Sequence, residues 1–145
     1  MPRTMDVVVD EICARAYSIP TDQPESDGTL DWHSTTLVVV EIAAGGRRGL
    51  GYTYGHATLV PLIEQELAPL LRGSKVHNVR ACWLRMKDAL RNVGVPGQGE
   101  MAIAAVDVAL WDLKARLLNV PLITLLGHGR HDLRGHCAQS LSRHR

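Results

Sequence analysis

Asp107 and Asp112 are the acidic side chains whose setting first suggests chemistry, because two carboxylates on one element can hold a metal ion or share acid–base work. They stand five residues apart in a segment with helical spacing. Five residues carry a helix about 140° past a full turn, so the two carboxylates face different sides. Lys114 and Arg116 follow closely. We therefore expect structural pairing here and no metal site.

A second set of candidate ligands lies at the C-terminal end of the sequence. Its imidazoles and thiol are donors that zinc accepts, and they are His128, His131, His136 and Cys137. Their spacing matches no closed zinc pattern, and no strand or helix is predicted there to hold them in place. A zinc site in this segment is kept as an alternative hypothesis.

The elements that must position any site begin with strands. Residues 7–17 and 34–43 are rich in β-branched side chains, and both predict strands. Residues 18–32 hold two prolines and several acids and amides, which predicts a long irregular loop. Gly45 and Gly46 predict a tight turn, after which residues 50–54 return as a third strand. This order predicts a three-stranded antiparallel meander.

Helical patterns follow the meander. Apolar residues at helical spacing predict helices over 59–71, 78–92 and 100–117, and a short fourth over 122–126. We expect Asn78 to cap the second helix and Asn119 to take a left-handed conformation after the third. The third helix is apolar over a wide arc, which predicts burial on more than one side. Strands followed by a three- to four-helix bundle predict an α+β domain.

Composition narrows the class of protein. The 145 residues suffice for one domain, and 46% apolar with 21% charged residues is ordinary for a globular protein. A net charge of +1 gives no field that would favour nucleic acid or an anionic membrane. No apolar run is long enough for a membrane span or a signal peptide. Three distant cysteines, Cys13, Cys82 and Cys137, form no disulfide framework, so we expect a reducing, cytoplasmic location.

The most distinctive motif is MAIAAVDVALWDLKAR at residues 101–116, continued by NVPL at 119–122 and LLG at 125–127. It closely resembles the last helix of the capping domain in the mandelate racemase and muconate lactonising enzyme group of the enolase superfamily. GLGYTYG at 49–55 resembles the loop that follows that family's meander. The order of elements also agrees, and the resemblance covers about residues 6–127. The helix motif is specific for the superfamily and for no single substrate.

The resemblance implies that the capping domain and a barrel domain have different roles. The fold expected here is the enolase-type amino-terminal capping domain, and a complete member adds a (β/α)-barrel. Barrel carboxylates hold a magnesium ion, and a barrel Lys or His removes the proton next to the carboxylate of a small-molecule substrate. The cation is needed because that proton is only weakly acidic and its removal leaves a dianionic intermediate. Relatives often assemble, so a homo-oligomer is a further expectation.

The resemblance also implies that two capping-domain loops close over the barrel mouth and shape specificity. By position they match residues 19–32 and 51–58. The candidate substrate-facing residues are therefore Ile19, Thr21, Trp32, Tyr52, Tyr54 and His56. Ordinary strand-end packing is the alternative for the tyrosines, and a solvated helix-start residue is the alternative for His56. The acids of the first loop equally fit a solvated loop.

Residues 128–145 depart from the family, which would continue with an apolar strand into the barrel. They contain four His, four Arg and one carboxylate. No Lys-x-Lys base motif and no carboxylates on successive strand ends follow. We expect a capping domain over 1–127, a disordered tail over 128–145, no catalytic or metal-binding residues in this chain, and a truncated or frame-shifted product.

Three functions remain open from the sequence. The first is the capping portion of an acid-sugar dehydratase or a 2-hydroxy-acid racemase, inert alone. The second is a non-catalytic binding or assembly module. The third is a small metal-binding protein that uses its His-rich tail.

Overall fold

A three-stranded antiparallel sheet opens the chain in the computed structural model, which describes residues 6–127. Its strands are β1 (Glu11–Ser26), β2 (Asp31–Ala44) and β3 (Arg47–Tyr54), in the order β1-β2-β3. Gly45 and Gly46 both have positive φ and form the second turn, as predicted. The meander is thereby confirmed, with β2 in the centre and an edge strand on each side.

The first strand differs from its prediction at both ends. It begins at Glu11, because residues 7–9 instead pair with residues 73–76, where the Val9 amide donates to the Ser74 carbonyl at 2.9 Å. The irregular loop predicted over 18–32 is wrong, since β1 continues to Ser26 and β2 starts at Asp31. A hairpin needs main-chain pairing and few particular side chains, and Pro20 is tolerated because β1 is an edge strand. The register shifts between Pro20 and Glu25, which absorbs the irregular sequence.

One acidic residue of the segment that was expected to be a loop, Asp27, stabilises the hairpin turn. The Asp27 carboxylate accepts hydrogen bonds from the Thr29 hydroxyl at 2.6 Å and from the amides of Thr29 and Leu30, both at 2.9 Å. These bonds favour the ionised form, with the Thr29 hydroxyl contributing most, and lower the pKa of Asp27 to about 2. An aspartate that binds the backbone two and three residues on is typical of a turn.

Among the described residues, four helices follow the sheet, and the π-helical stretch Val95–Gly99 leads into the third. α1 covers residues 59–71 and contains a π-helical stretch, Leu62–Leu67, between the turns Leu59–Pro61 and Ala68–Leu71. α2 is Val79–Leu90, α3 is Glu100–Leu118 and α4 is Leu122–Leu126. Asn78 occupies the N-cap position of α2, but its side chain makes no capping hydrogen bond. Asn119 ends α3 with φ 54° and ψ 42°, which confirms the left-handed cap.

α3 lies across the sheet and fills the core. Its buried residues occupy a broad arc, which confirms burial on more than one side, although Met101 and Val108 of the same apolar run are exposed. The face of the sheet beneath it carries small and β-branched side chains, and these are fully buried at Val38, Val40 and Ile42. The helix and the sheet therefore share one continuous hydrophobic core.

Two glycines of β3 allow the backbone of α3 to lie directly against the backbone of the strand. A Cβ added to Gly51 would lie 2.7 Å from the Ala109 nitrogen and would also strike the Ala105 carbonyl. A Cβ added to Gly49 would lie 2.5 Å from the Leu113 nitrogen. Real side chains do not pack so closely, so the Gly-x-Gly spacing of β3 is what admits the helix.

Candidate functional site

The two segments predicted to face substrate emerge at the same end of the sheet. β3 ends at Tyr54, which lies opposite Leu37, and the Gly55 amide donates to the Thr36 carbonyl at 3.2 Å. Beyond that point β1 and β2 continue without a third strand, and we call residues 18–35 the hairpin arm. The turn at residues 55–58 thus lies beside the base of the hairpin arm.

The six candidate residues do not form one cluster. Alternation along the strands puts Ile19, Tyr52 and Tyr54 on the sheet face away from α3. The rings of Tyr52 and Tyr54 meet edge to face with centroids 6.2 Å apart, and the residues are 57% and 60% exposed. Trp32 falls on the other side by the same alternation, and its indole Nε1 donates to Glu25 Oε2 at 2.8 Å.

His56 is held by its own turn. The Thr58 amide donates to His56 Nδ1 at 3.2 Å, and the Thr58 hydroxyl donates to Gln98 Oε1 at 3.0 Å. Because Nδ1 accepts a hydrogen bond, the proton of the neutral ring is assigned to Nε2. Gln98, which the sequence reasoning missed, joins this turn to the glycine-rich segment before α3. A polar residue among glycines in that segment was the one available signal.

Thr21 has an unusual environment in the hairpin arm. Its hydroxyl oxygen is shielded from solvent, and it has no hydrogen-bond partner among the described residues. A shielded hydroxyl without a partner costs stability, so such groups are uncommon in folded proteins. The hairpin arm therefore carries one polar group whose bonding is not completed by residues 6–127.

Of the two aspartates of α3, Asp112 is a structural partner, as expected. Asp112 Oδ2 accepts hydrogen bonds from the Leu50 amide and from Arg116 Nε, both at 2.8 Å. The Leu50 amide belongs to the free edge of β3, so Asp112 closes that edge. Asp107 faces elsewhere, where burial raises its pKa and a hydrogen bond with the Trp111 side chain opposes the rise.

A second carboxylate closes the opposite edge of the sheet. Glu64 of α1 accepts a hydrogen bond from the Ala14 amide at 3.2 Å. Each edge strand thus has one main-chain donor bound by a helix carboxylate. Edge strands with open donors invite pairing with other chains, and these two contacts reduce that tendency.

Metal-ligand groups are dispersed in the part of the chain that the structure describes. Within residues 6–127, no three His, Cys, Asp or Glu side chains come close enough to hold a metal ion. These residues therefore do not fit the magnesium ion that the family resemblance implies. The candidate zinc ligands His128, His131, His136 and Cys137 lie outside the described residues.

In residues 6–127, neither the two cysteines nor the helices add a further site. Cys13 and Cys82 are both free thiols, and burial raises the pKa of Cys82. None of the described helices is long and apolar enough to cross a lipid bilayer. The cytoplasmic location stays a prediction.

Comparison with known families gives one match over most of the chain. The family model described as "Mandelate racemase / muconate lactonizing enzyme, N-terminal domain" matches residues 15–127. The 3,6-anhydro-alpha-L-galactonate cycloisomerase of Streptomyces coelicolor is 30% identical over 128 residues, which are 83% of this chain and 35% of that protein. Chloromuconate cycloisomerase CbnB of Cupriavidus necator is 33% identical, over 82% of this chain and 33% of that protein.

Solved structures agree with the sequence comparisons. A mandelate racemase/muconate lactonizing enzyme-like protein from Rubrobacter xylanophilus superposes with a TM-score of 0.79 and 52% identity, over 81% of this chain and 33% of that one. L-Talarate dehydratase from Polaromonas, complexed with Mg and L-glucarate, gives a TM-score of 0.75 and 28% identity, over 86% of this chain and 36% of that one. The chain thus spans about a third of the length of these relatives.

Proposed function

The chain belongs to the mandelate racemase / muconate lactonizing enzyme family, and from that premise we propose that it caps the active site of a magnesium-dependent enzyme. The parent reaction is removal of a proton next to the carboxylate of a small molecule, as in an acid-sugar dehydratase or a 2-hydroxy-acid racemase. Magnesium and the base belong to the barrel, which supplies the chemistry when present. The division into a capping domain at 1–127 and a tail at 128–145 is part of the proposal.

One observation carries this proposal: the hairpin arm and the turn at 55–58 lie side by side at one end of the sheet, where the Gly55 amide bonds to Thr36 next to the base of the arm. Two adjacent projecting segments on a rigid scaffold can close over a cavity and exclude water from it. The relatives support the substrate class, because the Polaromonas dehydratase was solved with L-glucarate and a Bradyrhizobium relative with mandelic acid. Both molecules carry a carboxylate.

Within this end of the sheet we assign different roles to the six candidates. His56, with its proton on Nε2, is the donor we expect to meet a substrate oxygen, and the Thr21 hydroxyl is the second polar group. Trp32 holds the shape of the hairpin arm through Glu25. Ile19, Tyr52 and Tyr54 face the open side of the sheet, so we assign them to that surface and not to the entrance.

Transplanting the segments into a relative tests this role. The Polaromonas dehydratase would receive residues 19–32 and 51–58 of this chain in place of its own matching segments. We expect its preference among acid sugars to change by about tenfold in kcat/KM, because a few altered pocket contacts are worth that much. Magnesium binding should be unchanged, since its ligands lie elsewhere.

A matched control transplants the exposed residues of α2, which packs mainly on the other helices, and should leave the preference unchanged. A third graft carries the two segments with His56→Ala, and we expect it to lose part of the new preference. If the segment graft folds, binds magnesium and keeps the original substrate ranking, the capping role assigned to these segments is wrong.

A further inference from the structure

Three polar side chains, those of His56, Thr58 and Gln98, are connected in a row beside the base of the hairpin arm. Thr58 Oγ1 lies 3.0 Å from His56 Nδ1 and 3.0 Å from Gln98 Oε1. The Thr58 amide adds a further contact, because it donates to Nδ1 at 3.2 Å. We call these three side chains the polar relay.

The hydroxyl in the middle of the polar relay has one proton, so it can donate to only one of its two neighbours. When that proton points at Gln98, Thr58 Oγ1 accepts from His56, and the ring proton must then lie on Nδ1. When it points at His56, Nδ1 is the acceptor, and the ring proton lies on Nε2. The two arrangements therefore leave opposite groups on the far nitrogen of the ring, an acceptor in the first and a donor in the second.

The Gln98 amide selects between these arrangements, because its two ends have opposite hydrogen-bonding character. Its oxygen accepts a proton from Thr58, which favours the first arrangement, whereas its NH2 group donates to Thr58 Oγ1, which favours the second. A half-turn of the amide exchanges the two groups at the same place. The Thr58 main-chain amide favours the second arrangement, since its contact with Nδ1 requires a lone pair on that nitrogen.

We propose that Gln98 is a positioning residue, which acts through Thr58 to determine which nitrogen of His56 carries the proton. With the amide nitrogen of Gln98 towards Thr58, all the contacts of the polar relay are satisfied at once. Thr58 then gives both its hydroxyl and its amide proton to Nδ1. The neutral ring is thereby held with its proton on Nε2.

The backbone around Gln98 is suited to positioning a neighbour. Gly97 has φ 82° and ψ −118°, a conformation that residues with a side chain rarely adopt. Two residues after Gln98, the Glu100 carboxylate accepts a hydrogen bond from Lys87 Nζ at 2.6 Å, which ties the start of α3 to α2. Gln98 therefore reaches Thr58 from a backbone that is constrained on both sides.

A donor at Nε2 limits the substrate groups that His56 can meet. An N–H group pairs with an acceptor, such as a carboxylate or carbonyl oxygen, and not with a group that only donates, such as an ammonium. The other tautomer would reverse this preference, so the orientation of the Gln98 amide determines the chemistry that His56 offers. Only this naming of the substrate group rests on the proposed function, since the tautomer of His56 is a property of the chain alone.

Nitrogen NMR of the His56 ring tests the polar relay in the full 145-residue chain, because protonated and unprotonated ring nitrogens differ in chemical shift. Spectra are recorded at about pH 9, where histidine is neutral, and His56→Ala identifies the His56 signals. We expect the unaltered chain to carry the proton mainly on Nε2. Gln98→Glu supplies only an acceptor to Thr58, so it should lower the ratio of Nε2–H to Nδ1–H at least about threefold.

Two further substitutions separate hydrogen bonding from charge and size. Gln98→Met removes both amide groups and leaves the Thr58 hydroxyl to donate to Nδ1, so the proton should stay on Nε2. Gln65→Glu is the matched control, because it adds the same charge at an exposed position of α1 and should leave the ratio unchanged.

Variants of Thr58 test whether Gln98 acts through its hydroxyl. Thr58→Ser keeps the hydroxyl and should preserve the response to Gln98→Glu, whereas Thr58→Val should abolish that response. Circular dichroism must show that each variant is folded. Should Gln98→Glu fail to fold, Thr58→Val alone is expected to lower the ratio about threefold, because Nδ1 loses one donor.

Three results would overturn the assignment of Gln98. They are a ratio that neither Gln98→Glu nor Thr58→Val changes, an equal change in Gln65→Glu, and a response to Gln98→Glu that persists in the Thr58→Val background. These spectra involve no substrate, so each of these results leaves the capping role intact, and that role is tested separately by the segment graft.

Discussion

One face of the sheet packs against α3, and the other face does not. The covered face presents Val38, Val40 and Gly51 to α3 and is sealed from solvent. The open face, which is the side of the sheet away from α3, presents tyrosines and paired charges, and none of its residues is buried. Neighbouring residues of one strand, Gly51 and Tyr52, belong to the two different environments.

This contrast indicates that stability and recognition are separated in this domain. The covered face is completed by the chain's own helix, so its sequence is constrained by packing, and the family motif lies in that helix. The open face and the hairpin arm gain little from residues 6–127. Exposed apolar patches of this kind usually mark a contact surface.

The largest expected loss in the free energy of unfolding comes from disrupting the contact between the covered face and α3 at Gly51. Gly51→Ala forces a Cβ against the backbone of α3, and we expect a loss of about 3 kcal/mol in the free energy of unfolding. Tyr52→Ala is the matched neighbour on the open face and should cost less than about 0.5 kcal/mol in dilute protein. Urea unfolding measures both, and equal losses would show that the two faces do not differ as described.

A smaller loss in the free energy of unfolding is expected from a substitution at the free edge of β3. Asp112→Ala removes the acceptor of the Leu50 amide, and the carboxylate is only 19% exposed. The cost should be about 1–2 kcal/mol, the usual range for a main-chain donor left with poor access to water. Asp88→Ala on the exposed side of α2 serves as the control and should be neutral. If Asp112→Ala were equally neutral, the edge-closing role would be wrong.

The smallest change in stability is expected from a substitution in the hairpin arm, and this change depends on pH. The pKa of Asp27 is lowered from 3.8 to about 2 in the folded chain, so its stabilising contribution is complete above 3.8 and is lost as pH falls through 2. Asp27→Asn should therefore melt at a slightly lower temperature than the unaltered protein at neutral pH. The difference should close near pH 2, and a difference independent of pH would contradict this assignment.

The helices were predictable from the sequence because the spacing of their apolar residues follows the buried side of each helix directly. Gly45, Gly46 and Asn119 also marked the turns, since few other residues accept those backbone conformations. Asp112 was correctly predicted to be a structural partner, with Arg116 as one of its two contacts.

The hairpin arm and the open face could not be predicted in the same way. Residues 18–26 contain prolines and acids that favour a loop locally, and only pairing with β2 makes them a strand. For the tyrosines of β3, the sequence gives the position along the chain but not the side of the sheet. Strand parity, known only once the register is known, places them on the open face.

The central claim is that this chain forms a cap whose chemistry is supplied by another domain. The most direct test is solvent deuterium incorporation at the α-carbon of mandelate and acid sugars, followed by NMR, with the purified 145-residue chain and magnesium. We predict incorporation no faster than in buffer with magnesium alone. Chain-dependent incorporation that magnesium chelation abolishes would contradict the account, because these residues would then hold both the metal and the base.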